Sequence, residues 1–236
     1  MRYRAMERLA SHPSISVQCR RMHRLEIRTL KILEEAGLNG LQHVAVSGGR
    51  DSICLMHVLA TLQPRRRWQF KIVHVHHGGS SSYRQAATDH VSREAKKLNL
   101  EFLQIRSPVA IRPDEASLRR FRMEVLAPFG SVLFAHHAKD LLETRLMRLI
   151  RGTGPQGLPS MRIRQGWKVR PWLDVWPAEL ESYIQDKKEL GTRIQWVDDP
   201  TNSDPRHLRN WIRGEWLPAL QSQRPGSEKR LAASLA

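Results

Sequence analysis

The sequence predicts an α/β fold, an open and mostly parallel sheet flanked by helices, and three observations carry the prediction. Strand-like and helix-like segments alternate, each helix about a dozen residues long, as in βαβ units. The segment Ser52–Leu62 is apolar on most sides, so it is expected to be a buried helix. Two polar motifs, SGGRDS and AHHAKD, each follow a strand-like segment directly. Ligands of parallel sheets sit at the carboxyl ends of the strands, so this placement marks a site.

Taken in order, Glu26–Ala36 reads as a helix ended by Gly37, and Val44–Val46 as a short apolar strand. After the buried helix at Ser52–Leu62 comes a second strand, Lys71–His76. Arg84–Leu98 is helical, with Ala87, Val91, Ala95 and Leu98 at helical spacing. Glu101–Ile105 is a third strand, and Ala116–Leu126 a helix with Leu118, Phe121 and Val125 on one face. Val132–Ala135 is a fourth strand. Lys139–Ile150 follows as a helix with Leu142, Leu146, Leu149 and Ile150 along one stripe. The stretch GTGPQGLPSM cannot continue that helix and reads as a mobile loop. Beyond it the sequence predicts a helix at Ala178–Leu190, a strand near Ile194–Val197, a turn at DDPTNSDP and a last helix at Arg206–Leu220. Residues 1–21 are expected to be a flexible extension, or the result of start-site choice. Residues 22–220 are expected to be one catalytic domain, and 221–236 a tail that is loose at its start.

Composition narrows the class. The chain has 236 residues and 40% hydrophobic content, enough for a packed core. Its 39 Lys and Arg against 23 Asp and Glu give a net charge of +16, which predicts attraction to a polyanion, nucleic acid first. Two cysteines, Cys19 and Cys54, with no CxxC, suggest neither a disulfide framework nor a zinc or iron–sulfur site. No apolar stretch approaches the roughly 20 residues needed to cross a bilayer, so a cytoplasmic protein with no membrane partner is expected.

The SGGRDS stretch can hold an anion. Paired glycines let backbone approach a ligand, and inward N–H groups at a helix N-terminus bind phosphate. Ser47, Gly48, Gly49, Arg50, Asp51 and Ser52 are therefore candidates for an ATP or pyrophosphate cradle. Asp51 beside phosphate would be repulsive without a bridging cation, which implies Mg²⁺. An ordinary strand–helix turn capped by Asp51 or Ser52 reads almost as well from this stretch alone. In the second motif Asp140 and Glu143 are three apart and share a helix face in its first turn. Such a pair also suits the helix dipole, and His136 and His137 could serve as caps.

Read together, SGGRDS, AHHAKDLLETRLMRLIRGTGPQGLPSM, RPWLDVWPAELESYI and WVDDPTNSDPRHLRNWIR resemble the tRNA(Ile)-lysidine synthetase family in order and spacing. That family belongs to the PP-loop ATP pyrophosphatases, whose fold is adenine nucleotide alpha hydrolase-like. The resemblance covers about residues 25–220 and suggests a short form without the family's C-terminal domains. It implies that ATP adenylates C2 of the wobble cytidine of tRNA(Ile) with a CAU anticodon. Lysine then displaces AMP through its ε-amine to give lysidine. It implies catalytic roles for Asp51, Asp140, Glu143 and Arg209, with Mg²⁺ on Asp51 and a second on Asp140 as one of three roles open for Asp140 and Glu143, the others being to orient the lysine ammonium or accept its proton. Arg119, Arg122, Arg148 and Arg151 become candidates for tRNA contact, with a solvated helix face equally open for Arg119 and Arg122. Trp167 and Trp172 could stack on bases, with packing the expected role for at least one. A homodimer is implied by the family alone. The sequence departs from the family at Lys139 and His76, where acids are usual, and at Met123, where tyrosine is usual. Two other readings stay open: a sibling enzyme that transfers sulfur to cytidine, and a non-catalytic tRNA-binding relative.

Overall fold

The computed structural model describes residues 22–236 except 67, 80, 81, 110, 113, 159, 160, 201–203 and 205. The expected extension at 1–21, Cys19 and the TNS of the DDPTNSDP turn lie outside the described residues. The chain forms α1 (Arg24–Glu35), β1 (Gly40–Ala45), α2 (Arg50–Leu62), β2 (Trp68–His76), α3 (Ser82–Lys97), β3 (Glu101–Arg106) and α4 (Glu115–Leu126). It continues with β4 (Val132–Leu133), α5 (Ala138–Ile150), β5 (Arg164–Gln165), β6 (Lys168–Val169) and α6 (Pro177–Glu189). The last elements are α7 (Leu208–Trp211), a π-helical turn at Ile212–Trp216, α8 (Leu217–Gln223) and α9 (Ser227–Ser234).

The strands join in one sheet in the order β3-β2-β1-β4-β6-β5. All neighbours are parallel except β5 and β6, so the expected open, mostly parallel sheet is what forms. From β1 the chain winds outward to β2 and β3, then returns across β1 to β4. The order reverses between β1 and β4, and loops leaving two strands in opposite directions open a crevice there.

The sheet is held by burial. Val44, Ile72 and Leu133 from the strands, and Val46 just after β1, pack with Ile53, Leu55, Met56 and Leu59 of α2, none more than 2% exposed. Each such side chain contributes roughly 2 kcal/mol by leaving water. Trp172 is wholly buried, and its indole N–H donates to Thr29 Oγ1 of α1 at 2.9 Å. A second cluster joins Leu142, Leu146 and Met147 of α5 to Ile212 and Leu217.

Four expectations change. Ile194–Val197 is not a strand: the Val197 N–H donates to Gly48 O at 3.0 Å, and Gln195 O pairs with His90 Nε2 at 2.7 Å. These bonds tie an extended segment to a loop and a side chain, so no ladder forms. The helix expected at Arg206–Leu220 runs without a gap from Leu208 to Gln223, but its middle, Ile212–Trp216, widens into the π turn. On α5 the buried stripe runs through Leu142, Leu146 and Met147, while Leu149 and Ile150 are exposed. The segment expected to be loose after 220 continues α8 and then forms α9, whose Leu231, Ala232 and Leu235 pack on the second cluster.

Candidate active site

The turn after β1 is built by its own hydroxyls. Ser52 Oγ accepts from the Ser47 N–H at 3.2 Å and donates to Gly49 O at 2.9 Å. Ser47 Oγ accepts from the Gly49 N–H at 3.4 Å. Gly48 has φ +99°, and a Cβ there would stand 3.2 Å from Ala87 Cβ of α3. Only glycine fits that backbone and that approach. Gly49 caps α2 without a side-chain bond, so the amides of the turn are held in place by neighbouring serines. Arg50 is engaged by two carboxylates: its Nε donates to Asp51 at 3.0 Å and its Nη1 to Glu181 of α6 at 3.3 Å.

The turn after β4 supplies the acids. His137 caps α5 in a capping box with Asp140. Its imidazole is 3% exposed and lies between two carboxylates. Nε2 is 3.5 Å from Asp51 Oδ2, and Nδ1 accepts from the Asp140 N–H at 3.3 Å. That acceptance puts the proton of the neutral ring on Nε2, toward Asp51. Burial pushes Asp51 toward the acid form, but His137 and Arg50 outweigh it and hold the carboxyl at about 2. Burial lowers the pKa of His137, and Asp51 and Asp140 together reverse the shift and raise it. The two sequence motifs thus meet through one histidine across the β1/β4 crevice.

Arg213, on the π turn, closes the other side of the acids. Its Nε donates to Glu143 Oε1 at 2.7 Å, and its Nη2 donates to Glu143 Oε2 at 2.7 Å and Asp140 Oδ1 at 2.8 Å. Glu143 is 0% exposed, and burial raises its pKa against the pull of Arg213. Sequence reasoning selected Arg209 and missed Arg213. Among the described residues Arg209 reaches Thr144 Oγ1 at 3.3 Å, and its Nε is buried without a partner. Arg213 stands four residues on, so helical spacing from Arg209 was the available signal.

Among the other candidates, Arg119 is exposed and its charge acts on His136, Lys168 and Arg170. Arg122 is half-buried, and with Arg84 it helps burial lower His77 to about 4. Arg148 and Arg151 lie at the opposite end of α5 from Asp140, roughly 12–16 Å along the axis. Arg148 holds the Gly/Pro loop through Gly157 O at 2.5 Å. Trp172 is core. Trp167 is half-buried against Phe134, with Lys168 Nζ 5.0 Å above its ring. His76 is 2% exposed and accepts the Gly78 N–H at 3.1 Å. Lys139 neither faces the acids nor adds to a metal site; it pairs with Glu228 of α9 at 3.0 Å.

The donor set fits a Mg²⁺ only in part. Asp51 is ionised, and its side chain is 31% exposed beside the phosphate-like turn, as a bridging ligand needs. Asp140 has both oxygens engaged, Oδ1 by Arg213 and Oδ2 by the His137 N–H at 3.0 Å. No group of three or more His, Cys, Asp or Glu is placed to hold a metal among the described residues. An ion here would lean on phosphate oxygens and water, the usual habit of Mg²⁺.

The model of the PP-loop domain family matches residues 21–220. The chain is 38% identical over 200 residues to a tRNA(Ile)-lysidine synthase of Bdellovibrio bacteriovorus, covering 81% of this chain and 61% of that one. It is 37% identical over 216 residues to the tRNA(Ile)-lysidine synthase of Pseudomonas aeruginosa, covering 85% and 46%. The chain therefore spans about half the length of its curated relatives: 61% of the Bdellovibrio protein, 46% of the Pseudomonas protein and 43% of the tRNA(Ile)-lysidine synthase of Alkalilimnicola ehrlichii. In fold it is similar to the U34-tRNA thiolase NcsA of Methanococcus maripaludis, with a TM-score of 0.68 at 14% identity, covering 89% and 76%. No helix among the described residues is long and apolar enough to cross a membrane. With the turn, the acids and the sheet reversal in one place, the chain belongs to the PP-loop domain family.

Proposed function

We propose that the protein joins lysine to C2 of the wobble cytidine of tRNA(Ile) bearing CAU, at the expense of ATP, releasing AMP and pyrophosphate. The observation that carries this reading is the meeting of two motifs at His137: the SGGRDS turn on one side, Asp140 and Glu143 on the other. The named relatives support it by sequence.

The chain's own groups suit each task. Turn amides and the hydroxyls of Ser47 and Ser52 receive the pyrophosphate, so that charge leaving the α-phosphorus is met by fixed donors. Mg²⁺, when bound, neutralises phosphate charge beside Asp51. Asp140 and Glu143 offer negative charge to the ε-ammonium of lysine. The amine must shed a proton before it attacks C2; Asp140, the less buried acid, can meet it, whereas Glu143, wholly buried with both oxygens on Arg213, acts by holding that arginine beside Asp140. Arg213 holds both acids in place. Arg119, Arg122 and Lys168 supply a basic wall beside the crevice, suited to RNA phosphate.

Sulfur transfer is less well supported. A relay cysteine must be exposed as thiolate, whereas Cys54 is 0% exposed in α2 and burial raises its pKa. The test is AMP release from ATP, measured with lysine and an isoleucine tRNA transcript present together and with each left out. Release that needs both supports the reading. Release that ignores lysine, or none at all, overturns it.

A further inference from the structure

α9 lies beyond the residues matched by the family model, yet it is docked on both elements that carry the acidic site. Its first turn bears Glu228, whose Oε1 accepts from Lys139 Nζ at 3.0 Å in the first turn of α5. The two side chains are only 20% and 17% exposed. Further along, Arg145 Nη1 of α5 donates to Ala232 O at 3.3 Å. On its other flank α9 is tied to α8, the continuation of the π turn that carries Arg213. Gln221 Oε1 of α8 accepts from the Gly226 N–H at 3.1 Å and from Ser227 Oγ at 3.2 Å. α9 therefore braces Asp140 and Glu143 from one side and the backbone of their partner Arg213 from the other.

The docking is not close-packed throughout. A cavity of about 250 Å³ lies between α5, α9 and the segment around Trp176, lined by Ala138, Leu142, Trp176, Lys229, Ala232 and Ala233. Where apolar contact is incomplete, the polar bonds at the edges decide the register of the helix. Lys139 is next to Asp140 in sequence, so a shift of its backbone is a shift of the acid.

We propose that Lys139 and Glu228 are a positioning pair, which docks α9 on the first turn of α5 and so fixes Asp140 and Glu143 for lysine transfer. The proposal rests on the function proposed above. It also gives Lys139 a use at a position where resemblance leads one to expect an acid.

The test compares the whole chain with Glu228→Gln and with the reversed pair, Lys139→Glu together with Glu228→Lys. Two readouts are taken: amide hydrogen exchange at residues 138–143 and 227–234, and the kinetics of labelled-lysine transfer to tRNA. Glu228→Gln is expected to speed exchange in both segments. It should lower kcat/KM for lysine about tenfold and leave KM for ATP within about twofold, since small misplacement costs rate steeply. The reversed pair should recover most of both effects. Faster exchange confined to 227–234, with lysine kinetics unchanged, would overturn the proposal, as would a reversed pair that behaves no better than Glu228→Gln. Should Glu228→Gln fail to fold, the reversed pair against Lys139→Glu alone makes the same comparison. Absence of lysine transfer in the unaltered protein would reject the proposed function, and the exchange arm would still decide whether the pair fixes α5.

Discussion

His137 sits between Asp51 and Asp140 and couples the phosphate-like turn to the acids. Substitution on either side of it should separate chemistry from binding. Asp51→Ala and Asp140→Ala are each expected to lower AMP release by at least about a hundredfold. Affinity for tRNA, measured by filter binding, should stay within about threefold, since the phosphate contacts proposed above fall on Arg119, Arg122 and Lys168 and not on these acids. Near-full turnover in either variant would reject the site assignment. Arg213→Gln removes the bidentate partner of a fully buried glutamate. It should cost about 2 kcal/mol of stability, read by urea unfolding, because an ionised group loses its donors inside the protein. Arg213→Lys should recover only part, since an ammonium cannot satisfy both oxygens in one plane. At this scale Asp51, Asp140 and Glu143 were legible in the sequence because their spacing and neighbours are local. The pairing with Arg213 was not, because it depends on how a helix some 70 residues away is wound.

Among the elements, the π turn at Ile212–Trp216 shows what periodicity misses. The sequence is helical from Arg206 onward by pattern, and one widened turn changes which side chain faces α5. Alternation of strands and helices was legible throughout, because buried strands and the apolar α2 write it in hydrophobic residues. Ile194–Val197 carried the same apolar signal, but Gly48 and His90 take its backbone bonds instead of a strand. The turn after β1 yields a sharp test at this scale. Gly48→Ala places a side chain at φ +99° against Ala87, so it should cost about 1–3 kcal/mol and distort the amides of the turn. ATP-dependent AMP release should fall further than thermal stability does. Equal loss in both would mean that the turn serves folding alone.

Over the whole molecule, the net charge of +16 was the plainest signal in the sequence. Affinity for tRNA should therefore fall steeply with salt, linearly in log–log form, by on the order of a hundredfold between about 50 and 200 mM. A second whole-molecule property follows from buried histidines. Burial lowers His43, His57, His74, His76, His77 and His136 from the ordinary value of 6.5. Each binds its proton more readily when unfolded, so their contribution to stability is intact above about pH 6.5 and is lost as pH falls below it. His137 and Glu143, both raised, work in the opposite sense. Asp51, at about 2, contributes above the ordinary 3.8 and loses that only in stronger acid. The melting temperature should thus decline between about pH 7 and pH 5, and His57→Asn should make the decline shallower. A flat profile in the unaltered protein would contradict the burial assigned to these rings. The most direct measurement of the central claim is transfer of labelled lysine to isoleucine tRNA bearing CAU, with ATP and Mg²⁺, by the unaltered protein and by Asp140→Ala. The account predicts label at the wobble cytidine with the unaltered protein and essentially none with the variant. Label that appears equally with both, or with neither, would contradict it.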